Sequence, residues 1–288
     1  MVVTVGFFDG VHIGHRRVLR TLLEKGGSAA VVTMWPHPRV VLQQDAREFK
    51  LIDSIEEKTS LIRSCGVDDI RVVPFTKELA QQPAREFVRE YLIGELGCDA
   101  IVLGYDNRFG GDDLSPDEIA AVCREEGLDV TVVPPSVAEG ISVSSTRIRS
   151  AITSGDVDFA AKMLGSRYSL EGVVIPGNRL GRTIGFPTAN IQPAFPLKVI
   201  PANGVYATEI FVRGSRYKAM TNVGVRPTVD VNGARLIETN IFDFDEDIYG
   251  DQVTLRFIAR MRDEKPFPSL EALKTQLETD RHRCYGYN

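Results

Sequence analysis

The sequence predicts two successive domains: an α/β unit with a parallel sheet over residues 1–164, and an antiparallel β unit closed by a terminal helix over residues 165–288. Three observations carry this. A chain of 288 residues is about twice the ordinary domain of roughly 150. Its first half alternates short β-rich runs with helical stretches, which is the pattern of βαβ units covered on both faces. After Gly165 the texture changes to short strands separated by Gly, Pro, Asn and Asp turns, which suits a compact antiparallel barrel or sandwich.

In order, Val2–Gly6 reads as a strand, Arg16–Glu24 as a helix and Ala29–Met34 as a strand. Helical Ile55–Cys65 precedes the strand Ile70–Pro74, Pro83–Leu96 precedes Ala100–Leu103, and Ser115–Glu126 precedes Val130–Val133. A short helical region runs from Ser144 to about Gly165. The strands of the second half are Leu170–Ile175, Val205–Val212, Tyr217–Val223, Leu236–Phe242 and Val253–Ile258. In the tail, Ser269 stands at a cap position before Leu270, Leu273 and Leu277 at helical spacing, which predicts a helix to Glu278.

Composition excludes several functional classes. No stretch has the unbroken apolar length of a membrane helix, and the first strand begins too early to leave room for a signal peptide, so a cytoplasmic protein is expected. Residues 1–164 hold 18 basic and 25 acidic side chains and residues 165–288 hold 16 and 14, so neither half has the basic excess of a general nucleic-acid binder. Cys65, Cys98, Cys123 and Cys284 are far apart and read as reduced thiols. A monomer or a homo-oligomer acting on small molecules fits this profile.

The most informative stretch is Gly6-Phe7-Phe8-Asp9-Gly10-Val11-His12-Ile13-Gly14-His15, between the first strand and the first helix. Its glycines allow close backbone approach, and a helix N-terminus offers unpaired N–H groups to phosphate. His12 and His15, three apart in the first turn, can both donate hydrogen bonds to charge developing on an attacked phosphate. Gly6, Phe7, Asp9 and Gly14 are the expected ATP-binding positions of the loop. Two histidines that merely cap a helix, or a zinc site, are the alternatives; for zinc, the other histidines are His37 and His282, with no Cys cluster. Downstream, Val143-Ser144-Ser145-Thr146-Arg147-Ile148-Arg149 opens another helix. There Ser145 and Thr146 can bond phosphate oxygens and Arg149 can stabilise a pyrophosphate leaving group; a cap followed by exposed arginines would look the same.

In the second half, Gly177, Gly181 and Gly185 with Arg179 or Arg182 can form a phosphate-approaching loop, and Thr188 and Asn190 supply hard oxygen ligands suited to Mg²⁺. This is not a Walker loop. Glu238 lies in an apolar strand, where a carboxylate can serve as general base; a solvent-facing strand glutamate is the plainer explanation. The acidic run Asp243, Asp245, Glu246, Asp247 lacks EF-hand spacing and reads as a solvated turn.

With these motifs in place, the first half resembles the HxGH nucleotidyltransferases, specifically the FMN adenylyltransferase module of prokaryotic FAD synthetases. Trp35-Pro36-His37-Pro38, Phe75-Thr76-Lys77-Glu78-Leu79-Ala80 and Gly104-Tyr105-Asp106-Asn107-Arg108-Phe109-Gly110 extend the match. Met34 and Asn107 depart from it, standing where Phe and an aromatic are common. The second half resembles riboflavin kinase through Gly-Phe-Pro-Thr-Ala-Asn (185–190), Gly204-Val205-Tyr206, Asn222-Val223-Gly224-Val225-Arg226-Pro227-Thr228, the Glu238 strand with Asp247-Ile248-Tyr249-Gly250, and Met261-Arg262-Asp263-Glu264. The resemblance implies a Rossmann-like N-terminal domain and a C-terminal antiparallel β-barrel, a bifunctional enzyme that makes FMN from riboflavin and ATP, and FAD from FMN and ATP. By the same resemblance Gly177, Gly181 and Arg182 bind ATP, and Thr188 and Asn190 hold Mg-ATP. Glu238 is then the base toward the ribityl hydroxyl, and Asn107, Arg226 and Arg262 lie near flavin. A nucleotidyltransferase of other specificity is disfavoured by the intact Thr188, Asn190 and Glu238; a flavin-binding regulator or RNA-binding module without catalysis would have been favoured by degraded HxGH or Pro-Thr-Ala-Asn motifs, and neither is degraded.

Overall fold

The structure, a computed structural model, describes residues 1–42, 49–177, 181, 184–225 and 235–287. Its contacts divide the chain into two units, Met1–Ser145 and Thr146–Asn288.

In the first unit β1 (Val2–Val5), β2 (Ala29–Trp35), β3 (Asp69–Pro74), β4 (Ala100–Gly104) and β5 (Asp129–Val133) form a parallel sheet in the order β3-β2-β1-β4-β5. They are connected by α1 (Ile13–Glu24), α2 (Pro38–Leu42), α3 (Ile55–Ser64), α4 (Ala84–Glu86) running on as a π-helical segment Phe87–Glu95, and α5 (Pro116–Glu125). Capping boxes at Ser54/Glu57 and Ser115/Glu118 satisfy the first amides of α3 and α5 and set where those helices begin. Successive strand residues face opposite sides, and helices cover both. On one side Val2, Val31 and Val102 pack with Val18, Leu19 and Leu22 of α1 and Ile62 of α3. On the other, Val3, Val32 and Ile101 pack with Phe87, Leu92 and Ile119. Each fully buried aliphatic side chain stabilises the fold by roughly 1.5–3 kcal/mol.

The connections run outward from β1 to β2 and β3, then jump back to β4 and β5. Ligands of such sheets bind beyond the carboxyl ends of the strands where this direction reverses, here β1 and β4. The loop of His12 and His15 follows β1 and the Gly104–Gly110 segment begins at the end of β4, so both sequence motifs stand at that crevice. A small hairpin, β6 (Val137–Ala138) and β7 (Ile141–Ser142), precedes α6 (Ser145–Ser154) and α7 (Val157–Leu164). The latter ends on Gly165 with φ 76, the left-handed C-cap geometry that glycine adopts at least cost.

In the second unit β8 (Ser169–Ile175), β9 (Ala189–Pro193), β10 (Gly204–Val212), β11 (Ser215–Val225), β12 (Arg235–Ile241) and β13 (Gln252–Arg262) close into a barrel in the order β10-β11-β12-β9-β8-β13, with antiparallel neighbours. Tyr206, Ile210, Leu255 and Phe257 are fully buried in the core. Thr208, Thr221 and Thr239 cross three strands as a buried hydroxyl chain, each step 2.9 Å. The opposite face of these strands, with Val205, Ala207, Met220, Phe242, Ile258 and Met261, is covered by Leu277 and Cys284 of α8 (Leu270–Tyr285). Polar tethers fix this helix. Arg262 Nε donates to the fully buried Asp280 at 2.8 Å, Arg281 pairs with Asp243 at 2.8 Å, and Lys218 Nζ donates to the carbonyls of Tyr285 and Tyr287. Among the described residues no helix is long and apolar enough to cross a membrane.

Candidate active sites

The loop after β1 is built to present two imidazoles. His12 is the N-cap of α1, and its Nδ1 accepts from the backbone N–H of His15 at 3.3 Å. An imidazole that accepts through Nδ1 carries its proton on Nε2, which leaves that N–H as a donor. The His15 ring stacks on His12 with centroids 3.6 Å apart and 14° between planes, and Phe8 meets His15 edge-on at 5.1 Å. Gly14 makes room for this: a Cβ there would press on the His12 ring at 3.1 Å. Burial pushes His12 down to about 4. It also lowers His15 well below its ordinary value, with His12 and Lys58 adding smaller effects of the same sign. Both rings are therefore neutral donors at neutral pH, and His15 Nδ1 is buried with no hydrogen-bond partner.

The other sequence-predicted residues are held by contacts of their own. Gly6 continues β1 by donating to the Val32 carbonyl. Phe7 stands against His37 and Phe75 and, with Met34, Phe75, Phe87 and Phe109, lines an apolar cavity of about 210 Å³. Asp9 is buried and its Oδ1 accepts from the amides of Ile52 and Asp53, while Asp53 accepts from Gly10, so the two carboxylates clamp the loop reciprocally. Ser145 donates its hydroxyl to the Asp9 carbonyl at 2.8 Å, and further along α6 Arg149 donates to the Thr146 hydroxyl at 3.2 Å. The carboxamide of Asn107 donates to the carbonyl of Val5, tying the segment after β4 to the end of β1 just ahead of the Arg108–Gly110 wall of the apolar cavity.

The second unit carries a cavity of about 610 Å³ between the barrel's outer face and α8. Glu238 of β12 opens onto it, and the strand register sets Glu238 opposite Asn190 of β9 on one side and Asn222 of β11 on the other. Asn222 donates to Glu264 at 3.0 Å. Arg262 lines the same cavity, held by Asp280 and lying 5.7 Å from the centre of the Phe267 ring. A second cavity, about 240 Å³, is bounded by Ala189, Thr239 and the Phe244–Tyr249 turn, where Asp245, Glu246 and Asp247 of the acidic run border it and remain exposed, as a solvated turn would be. Thr188 lines both cavities. Gly177 lies so close to Asn190 that a Cβ would sit 1.9 Å from its carboxamide nitrogen, and Gly181 closes a tight turn by accepting from the Phe186 amide at 2.8 Å. Arg182 and Arg226 lie outside the described residues.

Family models match on both sides of the chain: FAD synthetase over residues 1–147 and riboflavin kinase over residues 164–287. The bifunctional riboflavin kinase/FMN adenylyltransferase of Bacillus subtilis is 34% identical over 99% of this chain and 92% of its own length. That of Listeria monocytogenes is 36% identical over 97% and 90%. The chain belongs to this bifunctional family. Riboflavin kinase and FMN adenylyltransferase are its two activities, and the domain order of the family is the order seen here. A solved structure described as a macrolide-efflux protein from Streptococcus pneumoniae is 33% identical, with a TM-score of 0.92, and covers 100% of this chain and 94% of that one. Its fold matches this chain over both units.

Sequence reasoning did not single out Lys58, Asp53 or Asp280, and it noted Asn222 only within the kinase resemblance. A signal existed for Lys58, which shares the buried face of α3 with Ile62, four residues on. Burial of an ammonium is not itself readable from spacing.

Proposed function

We infer that the first unit transfers the adenylyl group of ATP to FMN and the second phosphorylates riboflavin. The observation that carries this is the joint presence of a His12–His15 donor pair at the sheet's reversal point and, in the barrel, a glutamate facing a cavity whose wall at Thr188 is shared with a second cavity. In the kinase step riboflavin occupies the larger barrel cavity near Arg262 and the nucleoside of ATP the smaller, which brings the γ-phosphate to Thr188. Glu238 takes the proton of the ribityl hydroxyl as its oxygen bonds the γ-phosphorus and the bond to ADP breaks. Thr188 and Asn190 offer a hydroxyl and a carboxamide oxygen, the hard neutral donors that suit Mg²⁺ arriving with ATP phosphates and retaining waters. Bound there, the ion would neutralise charge on the transferred group.

In the adenylyl step an oxygen of the FMN phosphate attacks the α-phosphorus of ATP and pyrophosphate leaves. No base is needed, because the attacking phosphate is already an anion. His12 and His15 donate to the developing charge, with Ser145, Thr146 and Arg149 supporting the phosphates and Gly6, Phe7, Asp9 and Gly14 shaping the loop. The apolar cavity of Phe7, Met34 and Phe109 suits an isoalloxazine ring, with Asn107 at its border. The proposed setting is the cytoplasm, with small-molecule substrates and no nucleic acid. Purified protein given riboflavin, ATP and Mg²⁺ is expected to yield FMN and then FAD by chromatography; FMN without FAD would remove the adenylyl step.

We place the functional boundary near Gly165. Residues 165–288 expressed alone are expected to fold and phosphorylate riboflavin, since a strand-rich unit of this size holds its own core. α7 packs on β13, and Arg167 bridges Asp158 and the Ile258 carbonyl, both at 2.8 Å. A fragment of residues 146–288 should therefore melt at a higher temperature than 165–288 at equal kinase activity. Circular-dichroism melts and turnover of the two fragments check this, and an inactive but folded short fragment would move the boundary.

A further inference from the structure

The loop that carries the two histidines rests on one buried ammonium. Lys58, 4% exposed on α3, donates from Nζ to the Phe7 carbonyl at 3.0 Å, to Thr33 Oγ1 at 3.0 Å and to the Met34 carbonyl at 3.4 Å. An ammonium has three donors, and these contacts engage all of them at the carboxyl ends of β1 and β2. The indole of Trp35 lies 5.4 Å from Nζ. Directly after Phe7 the backbone is strained: Phe8 and Val11 are non-glycine residues with φ of 51 and 34, a region that persists only where surrounding contacts enforce it. A trans peptide is planar, with its carbonyl and N–H on opposite sides. Drawing the Phe7 carbonyl onto Lys58 therefore turns the Phe8 N–H away from it and sets the direction in which the strained loop departs.

We propose that Lys58 is a positioning residue for adenylyl transfer, its ammonium holding the Phe7–Asp9 loop so that His12 and His15 meet the reacting phosphates. This rests on the assignment of adenylyl transfer to the His12–His15 site. The groups facing the ammonium are Asp9 on the loop and Asp53 ahead of α3, which favour the cation, and His15 on α1. From β2 it meets a hydroxyl, a carbonyl and an indole. Burial outweighs the carboxylates and brings Lys58 down to about 8. The cation is thus complete well below pH 8 and lost as pH rises through that value.

The test uses the full chain with saturating FMN, ATP and Mg²⁺ between pH 6.5 and 9.5, about 1.5 units either side of that midpoint. Wild-type FAD formation is expected to fall about tenfold per pH unit above about 8, and Lys58→Arg, whose charge persists, to show no such fall. Lys58→Met should lower kcat for FAD formation by about 10²-fold at pH 6.5, the size of effect that a loop misplaced by about 1 Å produces, and the gap should narrow above pH 8 as the wild type loses its own cation. In that variant KM for FMN should change less than threefold and riboflavin phosphorylation less than twofold. A wild-type profile without the fall near 8, or a Lys58→Met enzyme within threefold of wild type in FAD formation at pH 6.5, overturns the proposal. If Lys58→Met does not fold, the comparison of wild type with Lys58→Arg decides. A wild type that makes FMN but no FAD at any pH overturns the underlying site assignment instead, and the inference with it.

Discussion

Substitution of His12 or His15 by alanine is expected to reduce FAD formation by about 10²–10³-fold, the usual loss for one donor aimed at a phosphoryl or acyl transition state, while riboflavin phosphorylation continues. The structure gives the reason for the asymmetry. His12 ends the loop after β1 and His15 lies in the first turn of α1, the two rings stacked at 3.6 Å and neutral through burial, and neither lines the barrel cavities of about 610 and 240 Å³. His12 also caps α1, so His12→Ala removes an N-cap as well, at a cost of about 1 kcal/mol. His12→Asn restores a good cap without the imidazole donor and should remain deficient in FAD formation. The measurement is a pair of assays, from riboflavin and from FMN, on each variant. Equal loss of both activities in a folded protein would mean that the division of chemistry between the two units is wrong.

Glu238→Gln is expected to slow riboflavin phosphorylation by about 10²–10⁴-fold, the typical worth of a general base. The substitution keeps the size of the side chain at its strand position opposite Asn190 and Asn222, but the amide cannot accept the proton of the ribityl hydroxyl. Binding of riboflavin and ATP, measured by fluorescence quenching and calorimetry, should persist. FAD synthesis from supplied FMN should stay within about twofold, since Glu238 has no part in the proposed adenylyl step and that barrier is unchanged. Phosphorylation near the wild-type rate would remove Glu238 from the mechanism.

Much of this was legible in the sequence, for reasons that differ by residue. The histidine loop could be read because strand, glycines and helix start are local features, although Asp53, Lys58 and Ser145, distant in sequence, then hold it in place. Strand β9 could not: Ala189–Pro193 contains Asn, Gln and Pro, poor strand formers, and its extended form comes from pairing with β8 and β12. The terminal helix was predicted to stop at Glu278 because the apolar period of Leu270, Leu273 and Leu277 ends there. It runs to Tyr285, since the buried face continues as Asp280 paired to Arg262 and then Cys284. A buried carboxylate is invisible to a hydrophobic period, and so is the buried Lys58. Arg262, expected near flavin, lines the larger barrel cavity, and its partner Asp280 could be found only once the chain had folded back on itself.

Closure of the barrel has a mechanical side. A ring of strands is as firm as its weakest seam, and among the described residues β12 and β9 are joined by two residue pairs where β10 and β11 share nine. One of those two pairs is Glu238 with Asn190. Local opening costs least where few ladder bonds must break, so the ring breathes most readily along the line where the proposed base and metal ligand meet. Substrates that bridge this line would act as a clasp, and amide exchange in Ala189–Asn190 and Glu238–Thr239 should slow more than elsewhere in the barrel when they bind.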